Sequence, residues 1–443
     1  YIKLFMKSKY NKNSIKVWAN AKKYIPGGNM FLSKRPERFL PDHWPTFYKI
    51  SSKCFVTDLK NRRYTDMIMG IGTNILGYSE PSVNKSVINS IHQGNMSTLN
   101  CIEEQMLAKK LINMHKWSKA AKFARTGGEA NAMAIRISRA FNKRTKIAIC
   151  GYHGWHDWYL AANLKSKRRL NDHHIKELNV DGVPKALKNT VFPFKMNDFN
   201  DLQKIKKIRG LGVIKMEVYR EKKPNIKFLK EIRKFCNKRQ IILIFDECTS
   251  GFRETYGGIH QKFNIYPDIC VYGKALGNGY GITAIVGKKK IMDNAQKTFI
   301  SSTFWTERVG PTAALKTLEI MEKIKSWEII SKKGKIFKKK LLDLANKYEL
   351  PINIFGSDGI PAFSFNSQNN LKYKTFITQE MLKSNILASN VIYICVKHDF
   401  KKFNDYFSCL NSIFHKISDC EKGYNIDKLL KSPVCHTTFQ RLN

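Results

Sequence analysis

Lys274 stands in a run of glycines, Gly273, Gly277, Gly279 and Gly281, directly after the apolar stretch Asp268–Tyr272. A lysine drawn partly out of water loses basicity and becomes a nucleophile or a carbonyl-binding amine. The plainer reading is a surface lysine past a strand. Three more apolar stretches end on residues of chemical use: Lys146–Cys150 stops at Gly151-Tyr152-His153-Gly154, Gly212–Met216 at Glu217, and Ile241–Phe245 at Asp246-Glu247. Together they bring an aromatic ring, a carboxylate, a carboxylate pair and an amine to one edge. A fifth segment, Thr126-Gly127-Gly128-Glu129, leads into Ala130, Met133, Ala134, Ile137 and Phe141 at helical spacing. A glycine turn at a helix N-terminus offers free N–H groups and the positive end of the helix dipole to a phosphate. A simple capped helix start explains that segment by itself equally well.

An amine, an acid for a ring nitrogen, a phosphate cradle and a flat group for a ring are what pyridoxal 5′-phosphate (PLP) needs, and Lys274, Asp246, the glycine turn and Tyr152 can supply them. Such residues meet only if the strands run parallel, because ligands of open α/β sheets bind beyond the strands' carboxyl ends. The sequence therefore predicts an α/β fold, a mostly parallel mixed sheet with helices on both faces and a smaller α+β domain. The expected divisions are residues 1–60 joining the small domain, 61–325 as the large domain and 326–443 as the C-terminal α+β domain, with strands at Ala362–Phe365 and Val391–Val396.

Composition bounds the remaining possibilities. The chain has 443 residues, 43% of them hydrophobic, enough for more than one core. No apolar run approaches the roughly 20 residues of a membrane span. The opening Tyr1-Ile-Lys-Leu-Phe-Met-Lys7 shows no secretory leader, and the missing initiator Met suggests an incomplete or processed start. Ten cysteines without paired spacing suit reduced thiols, so a cytoplasmic protein is expected. His153 and His156 lack the companions a metal site requires, and no metal is expected. The formal net charge of +43 is spread mostly over lysines, including Lys165 to Arg169 and Lys338 to Lys340. It reads first as solvated surface, the alternative being a field that attracts an anionic substrate or partner, and nucleic acid is not an expected partner.

Beyond these residue-level readings, the sequence resembles the class III PLP-dependent aminotransferases and, within them, the glutamate-1-semialdehyde 2,1-aminomutase group. The resemblance runs from Pro26-Gly27-Gly28 to Pro433-Val-Cys-His436 and is most specific at Asp246-Glu-Cys-Thr-Ser-Gly-Phe-Arg253, Pro267-Asp268 and Gly273-Lys274-Ala-Leu-Gly-Asn-Gly279. It implies a fold type I homodimer with interface sites. Lys274 then resembles the lysine that carries the cofactor as a Schiff base and Asp246 the partner of its pyridine nitrogen. Thr126, Gly127 and Gly128 take the place of a Ser-Gly-Thr phosphate turn. Tyr152 resembles the stacking aromatic with His153 beside it, Glu217 a strand-end glutamate near the cofactor, and Thr303 the threonine that reaches the phosphate from the neighbouring subunit.

At the substrate end the sequence departs from that group. Where the family usually reads Val-Asn-Ser-Pro-Val-Arg, this chain has Asn29-Met-Phe-Leu-Ser-Lys-Arg35, with Phe31 in place of the serine and Lys34 or Arg35 in place of the arginine. Arg125 either holds an extra anionic group or pairs with a neighbouring acid. The reading that follows is an aminotransferase with a small-molecule amino donor, a carbonyl acceptor and a modified or anionic substrate. The alternative is an aminomutase forming 5-aminolevulinate. A basic binding protein without catalysis is the distant third, and a nucleotide enzyme lacks its glycine motif.

Overall fold

The computed structural model describes residues 14–166 and 168–437. The expectations placed on Tyr1–Lys7, and on the lysine at position 167 within the basic cluster, lie outside the described residues.

In chain order the strands are β1 (Tyr48–Ser52), β2 (Phe55–Asp58), β3 (Arg63–Asp66), β4 (Ala120–Ala124), β5 (Lys146–Cys150), β6 (Val191–Pro193), β7 (Leu211–Glu217), β8 (Ile242–Glu247), β9 (Ile269–Tyr272), β10 (Thr283–Gly287), β11 (Ile352–Phe355), β12 (Ala362–Phe365) and β13 (Ile386–Leu387). The central sheet has the order β4-β10-β9-β8-β7-β5-β6. β10 runs antiparallel to both its neighbours, and the other pairs are parallel.

Parallel strands buried on both faces should be apolar throughout, and β8 and β9 are buried at every position. Alternate residues of β7, β8 and β9 divide between two cores. Ile214, Met216, Leu243, Phe245 and Cys270 enter one. Val213, Ile242, Ile244 and Val271 enter the other, where Ala130, Met133, Ala134 and Ile137 of the helix Gly127–Asn142 cover them.

A second sheet, β1-β2-β3-β13, joins the two ends of the chain, because β3 pairs in parallel with β13 through Thr65↔Ile386 and Asp66↔Leu387. β3 lies past residue 60, so the small sheet takes in a few more residues than the N-terminal segment expected to join it. β11 and β12 form a separate antiparallel pair. The long helices Ser326–Lys347 and Phe400–Glu421 pack there through Phe337, Leu341, Tyr406 and Phe414. Val391–Val396 is not a strand: one isolated bridge, Ala362↔Val391, is its only ladder contact, and Tyr393 and Val396 bond instead to the Met67 and Ile75 carbonyls. The apolar stretch is buried as loop, with Tyr393 and Cys395 in the small sheet's core and Ile392 and Ile394 in the larger one.

Candidate active site

Register brings the carboxyl ends of the parallel strands level. Glu217 of β7 lies opposite Asp246 of β8, and Asp246 opposite Val271 of β9, three residues before Lys274. Lys274 opens a short 3-10 turn, Lys274–Gly277, with a φ of 44°. A left-handed conformation in a residue with a Cβ costs about 1–3 kcal/mol and persists where surrounding structure imposes it. Its Nζ donates to Thr249 Oγ1 at 2.7 Å. Burial, with the positive Arg220 and Arg253 nearby, pushes the amine down from 10.5 to about 7.

Asp246 is buried, and its Oδ2 accepts from His153 Nδ1 at 2.8 Å and lies 3.4 Å from the Lys215 ammonium. Oδ1 accepts the Cys248 N–H at 3.2 Å. Burial opposes ionisation, yet the Lys215 charge and the His153 hydrogen bond outweigh it and hold this carboxyl well below the ordinary range. His153 supports the aspartate through this bond, with burial keeping its ring less basic than usual. His156 goes elsewhere, stacking on Trp155 with ring centroids 4.6 Å apart.

Glu217 Oε2 accepts the Tyr152 N–H at 3.0 Å, and Glu217 Oε1 accepts from Arg220 Nη1 at 3.1 Å. Gly151 makes that approach possible: at its φ of 105° a Cβ would sit 2.6 Å from Glu217 Oε2. The Tyr152 ring is half-buried and meets Tyr159 and His174 edge-on.

Thr126 caps the helix Gly127–Asn142 in a reciprocal box. Its hydroxyl accepts the Glu129 N–H at 3.3 Å, while Glu129 Oε2 accepts the Thr126 and Arg125 N–H groups. Gly127 and Gly128 are the first two helical residues, whose N–H groups have no partner within a helix. A Cβ on Gly127 would touch Cys248 Sγ at 3.3 Å, so the turn lies beside the residue that follows β8. A Cβ on Gly128 would lie 2.8 Å from His156 Cε1; the imidazole fills the room a hydroxyl-bearing residue would need.

The remaining expected residues are farther out. Arg125 pairs with a neighbouring acid, the second of its two expected roles. Its Nη2 donates to the Trp305 and Glu307 carbonyls and its Nε lies 3.1 Å from Glu307 Oε1. It thereby ties the helix start to the segment bearing Thr303, which is exposed. Phe31 is 43% exposed. Lys34 lines a cleft of about 490 Å³ with Asp66, Tyr78 and Asn84, a cleft whose lining does not include Lys274. Arg35 is half-buried and lies against Gly27.

Residues 41–396 match the family described as Aminotransferase class-III. The chain belongs to the class-III aminotransferases. It is 31% identical over 400 residues to the 3-aminobutyryl-CoA aminotransferase of Cloacimonas acidaminovorans, covering 87% of this chain and 92% of that one. It is 27% identical over 427 residues to the glutamate-1-semialdehyde 2,1-aminomutase of Saccharolobus islandicus, covering 92% and 98%. Among solved structures, the FumI protein of Sphingopyxis sp. MTA144 in its PLP-bound form superposes with a TM-score of 0.84 at 20% identity, over 95% of this chain and all of the other, which speaks to the fold. This class-III aminotransferase is an enzyme with PLP as its cofactor.

The residues present suit that cofactor. An ionised buried carboxylate, a lysine of lowered basicity and a side-chain-free helix start lie beside one another at one sheet edge. No helix among the described residues is long and apolar enough to cross a membrane.

Three contributors escaped the sequence reading. Lys215 was hidden inside an apolar run, and only its charge at a position expected to be apolar marked it. Arg220 and Thr249 lie just past strand ends, where any polar residue is ordinary.

Proposed function

We propose that this class-III aminotransferase moves an amino group between small molecules, with Lys274 as the reacting base and a substrate that carries an anionic group remote from its amine. The observation that carries the reading is that the ends of adjoining strands bring the Lys274 amine, of lowered basicity, and the ionised Asp246 to one sheet edge.

Bound PLP supplies an aldehyde carbon to which an amine attaches and a ring that draws electrons from the amine-bearing carbon. Lys274, about half of it unprotonated at pH 7, would accept a proton from the substrate carbon and return it, and Thr249 Oγ1 steers the amine. Asp246, kept ionised by Lys215 and His153, would hold the ring nitrogen, and Tyr152 would cover the ring. The Gly127 and Gly128 N–H groups, at the positive end of a 16-residue helix, receive the phosphate. Glu217 holds Tyr152 in place from behind.

Transfer is favoured over the aminomutase reaction at the substrate end. Phe31 offers no hydroxyl to a substrate carboxylate, and Lys34 presents a point charge where a planar fork would bind bidentately. The relative that acts on 3-aminobutyryl-CoA, together with a net charge of +43, favours a polyanionic substrate such as an acyl-CoA amine.

A homodimer belongs to the same reading. Leu99 and Phe304 are 80% and 70% exposed on segments joined by the Arg308 N–H bond to the Asn95 carbonyl. A second copy over this face would carry its Thr303 toward the phosphate turn. Sedimentation of the loaded protein as a monomer at micromolar concentration would remove that part of the reading.

Visible absorbance of the loaded enzyme, followed during separate additions of 3-aminobutyryl-CoA, free 3-aminobutyrate, glutamate and glutamate semialdehyde, tests the substrate. The expected result is conversion of the cofactor band by the CoA-linked amine at far lower concentration than by the free acid, with release of a carbonyl product. Formation of 5-aminolevulinate from the semialdehyde without a released keto acid would replace transferase by aminomutase.

A further inference from the structure

We propose that Lys215 is a built-in counter-charge for Asp246, a positioning residue that keeps the cofactor's ring nitrogen less protonated than an unshared aspartate would. The inference rests on the PLP site described above, and concerns a residue beneath it.

Lys215 is 0% exposed in the middle of β7. Its strand neighbours in register are Ile149 of β5 and Ile244 of β8, so a lysine occupies a layer built of isoleucine. It shares the sheet face of Val213 and Ile244, the face roofed by the helix Gly127–Asn142. Among the described residues its Nζ finds no hydrogen-bond partner, and the one ion pair it makes is with Asp246 Oδ2 at 3.4 Å. A buried lysine in an apolar layer is costly, and an ionised one needs its partner close by. Here the partner is the very carboxylate that meets the ring.

The groups facing it are few. Asp246 and Cys248 come from the end of β8 and the turn after it and His153 from the turn after β5, while Cys270 of β9 lies on the opposite face of the sheet. His153 donates to the same Oδ2 and carries no charge when its ring is neutral. The charge count is then simple. With Lys215 protonated and Asp246 ionised, the cluster is neutral before any cofactor arrives. A proton on the ring nitrogen would leave it with a surplus positive charge next to a buried layer. Replace Lys215 by an apolar residue and the same proton brings the cluster to neutrality. Asp246 thus anchors the ring and is prevented from fully charging it. The ring draws electrons less strongly, which restrains bond cleavage at the amine-bearing carbon to what Lys274 can assist.

The test is the ¹⁵N chemical shift of ring-labelled PLP in the holoenzyme, followed from pH 6 to pH 9, in wild type, Lys215→Met and Lys215→Gln. Methionine matches the volume and suits the apolar layer; glutamine keeps a hydrogen-bond donor without the charge. In both variants the ring-nitrogen titration should move upward by about one unit or more, a tenfold change in the ratio of protonated to unprotonated ring. An equal titration in all three proteins would overturn the role of Lys215, and so would a shift in Lys215→Met that Lys215→Gln fully reverses, since a hydrogen bond would then be the cause. Should Lys215→Met not fold, the glutamine variant alone decides. Wild-type protein that takes up no PLP would instead overturn the cofactor site on which the inference stands.

Discussion

In the cofactor-free enzyme the Lys274 amine is expected to titrate near pH 7. Its value falls from 10.5 to about 7 through burial first, then through Arg220 and Arg253. About half of the amine is then neutral at pH 7, against about 0.03% at the ordinary value, a gain of roughly three orders of magnitude in reactive form. Brief acetylation over pH 5 to 10, with the Lys274 peptide compared by mass with other lysine peptides of the same digest, reads the midpoint. Arg220→Gln should raise it by no more than about one unit, because burial is the larger cause. The same shift has a sign in stability. Between pH 7 and 10.5 the unfolded chain binds the proton that the folded site has lost, so stability from this group rises with pH across that window. Lys274→Met should remove that part of the rise from melting curves of the cofactor-free protein. A Lys274 midpoint near 10 in wild type would refute the electrostatic account of the site.

Lys274→Ala should abolish turnover while PLP still binds weakly; normal turnover in that variant would remove its role. Asp246→Ala leaves Lys215 buried without its partner, so a loss of about 3–5 kcal/mol in chemical denaturation is expected, with most of it recovered in Asp246→Ala/Lys215→Met. Additive losses in the double variant would mean that the ion pair is not what holds the strand ends. Gly128→Ala should cost about 1–3 kcal/mol and weaken PLP binding, relieved by His156→Ala, because the new Cβ meets the His156 ring. Phe31→Ser with Lys34→Arg should raise conversion of glutamate semialdehyde to 5-aminolevulinate, and an unchanged rate would show that these positions do not hold the carboxylate.

Much of this site could be read from the sequence because strand ends announce themselves. An apolar run that stops at Asp246 or Glu217 states both where the strand is and which side chain leaves it. Register then does the assembly, since parallel strands of one sheet deliver their ends to one edge. What stayed hidden depends on contacts between distant segments. Nothing local distinguishes Arg125 reaching for an anion from Arg125 clasping Glu307, some 180 residues on. His153 reads as a neighbour of the ring, whereas its hydrogen bond to Asp246 makes it a support of the acid. Val391–Val396 has the composition of a strand and the burial of one, but its backbone partners are loop carbonyls. Lys215 has the opposite disguise, a charge inside a run that the eye completes as apolar.

The pairing of β3 with β13 has a consequence for how the protein comes into being. Thr65 leaves the ribosome early and its ladder partner Ile386 very late. Every strand of the central sheet, from Ala120 to Gly287, is synthesised in between. The small sheet therefore cannot close while the large one is forming, and β3 must wait with one edge uncovered, a template for pairing with other chains. A nascent chain stalled before residue 386 would have its central sheet and the residues around Lys274 in place, yet expose that edge to aggregation. Synthesis of β13 is thus the step at which that edge is first covered.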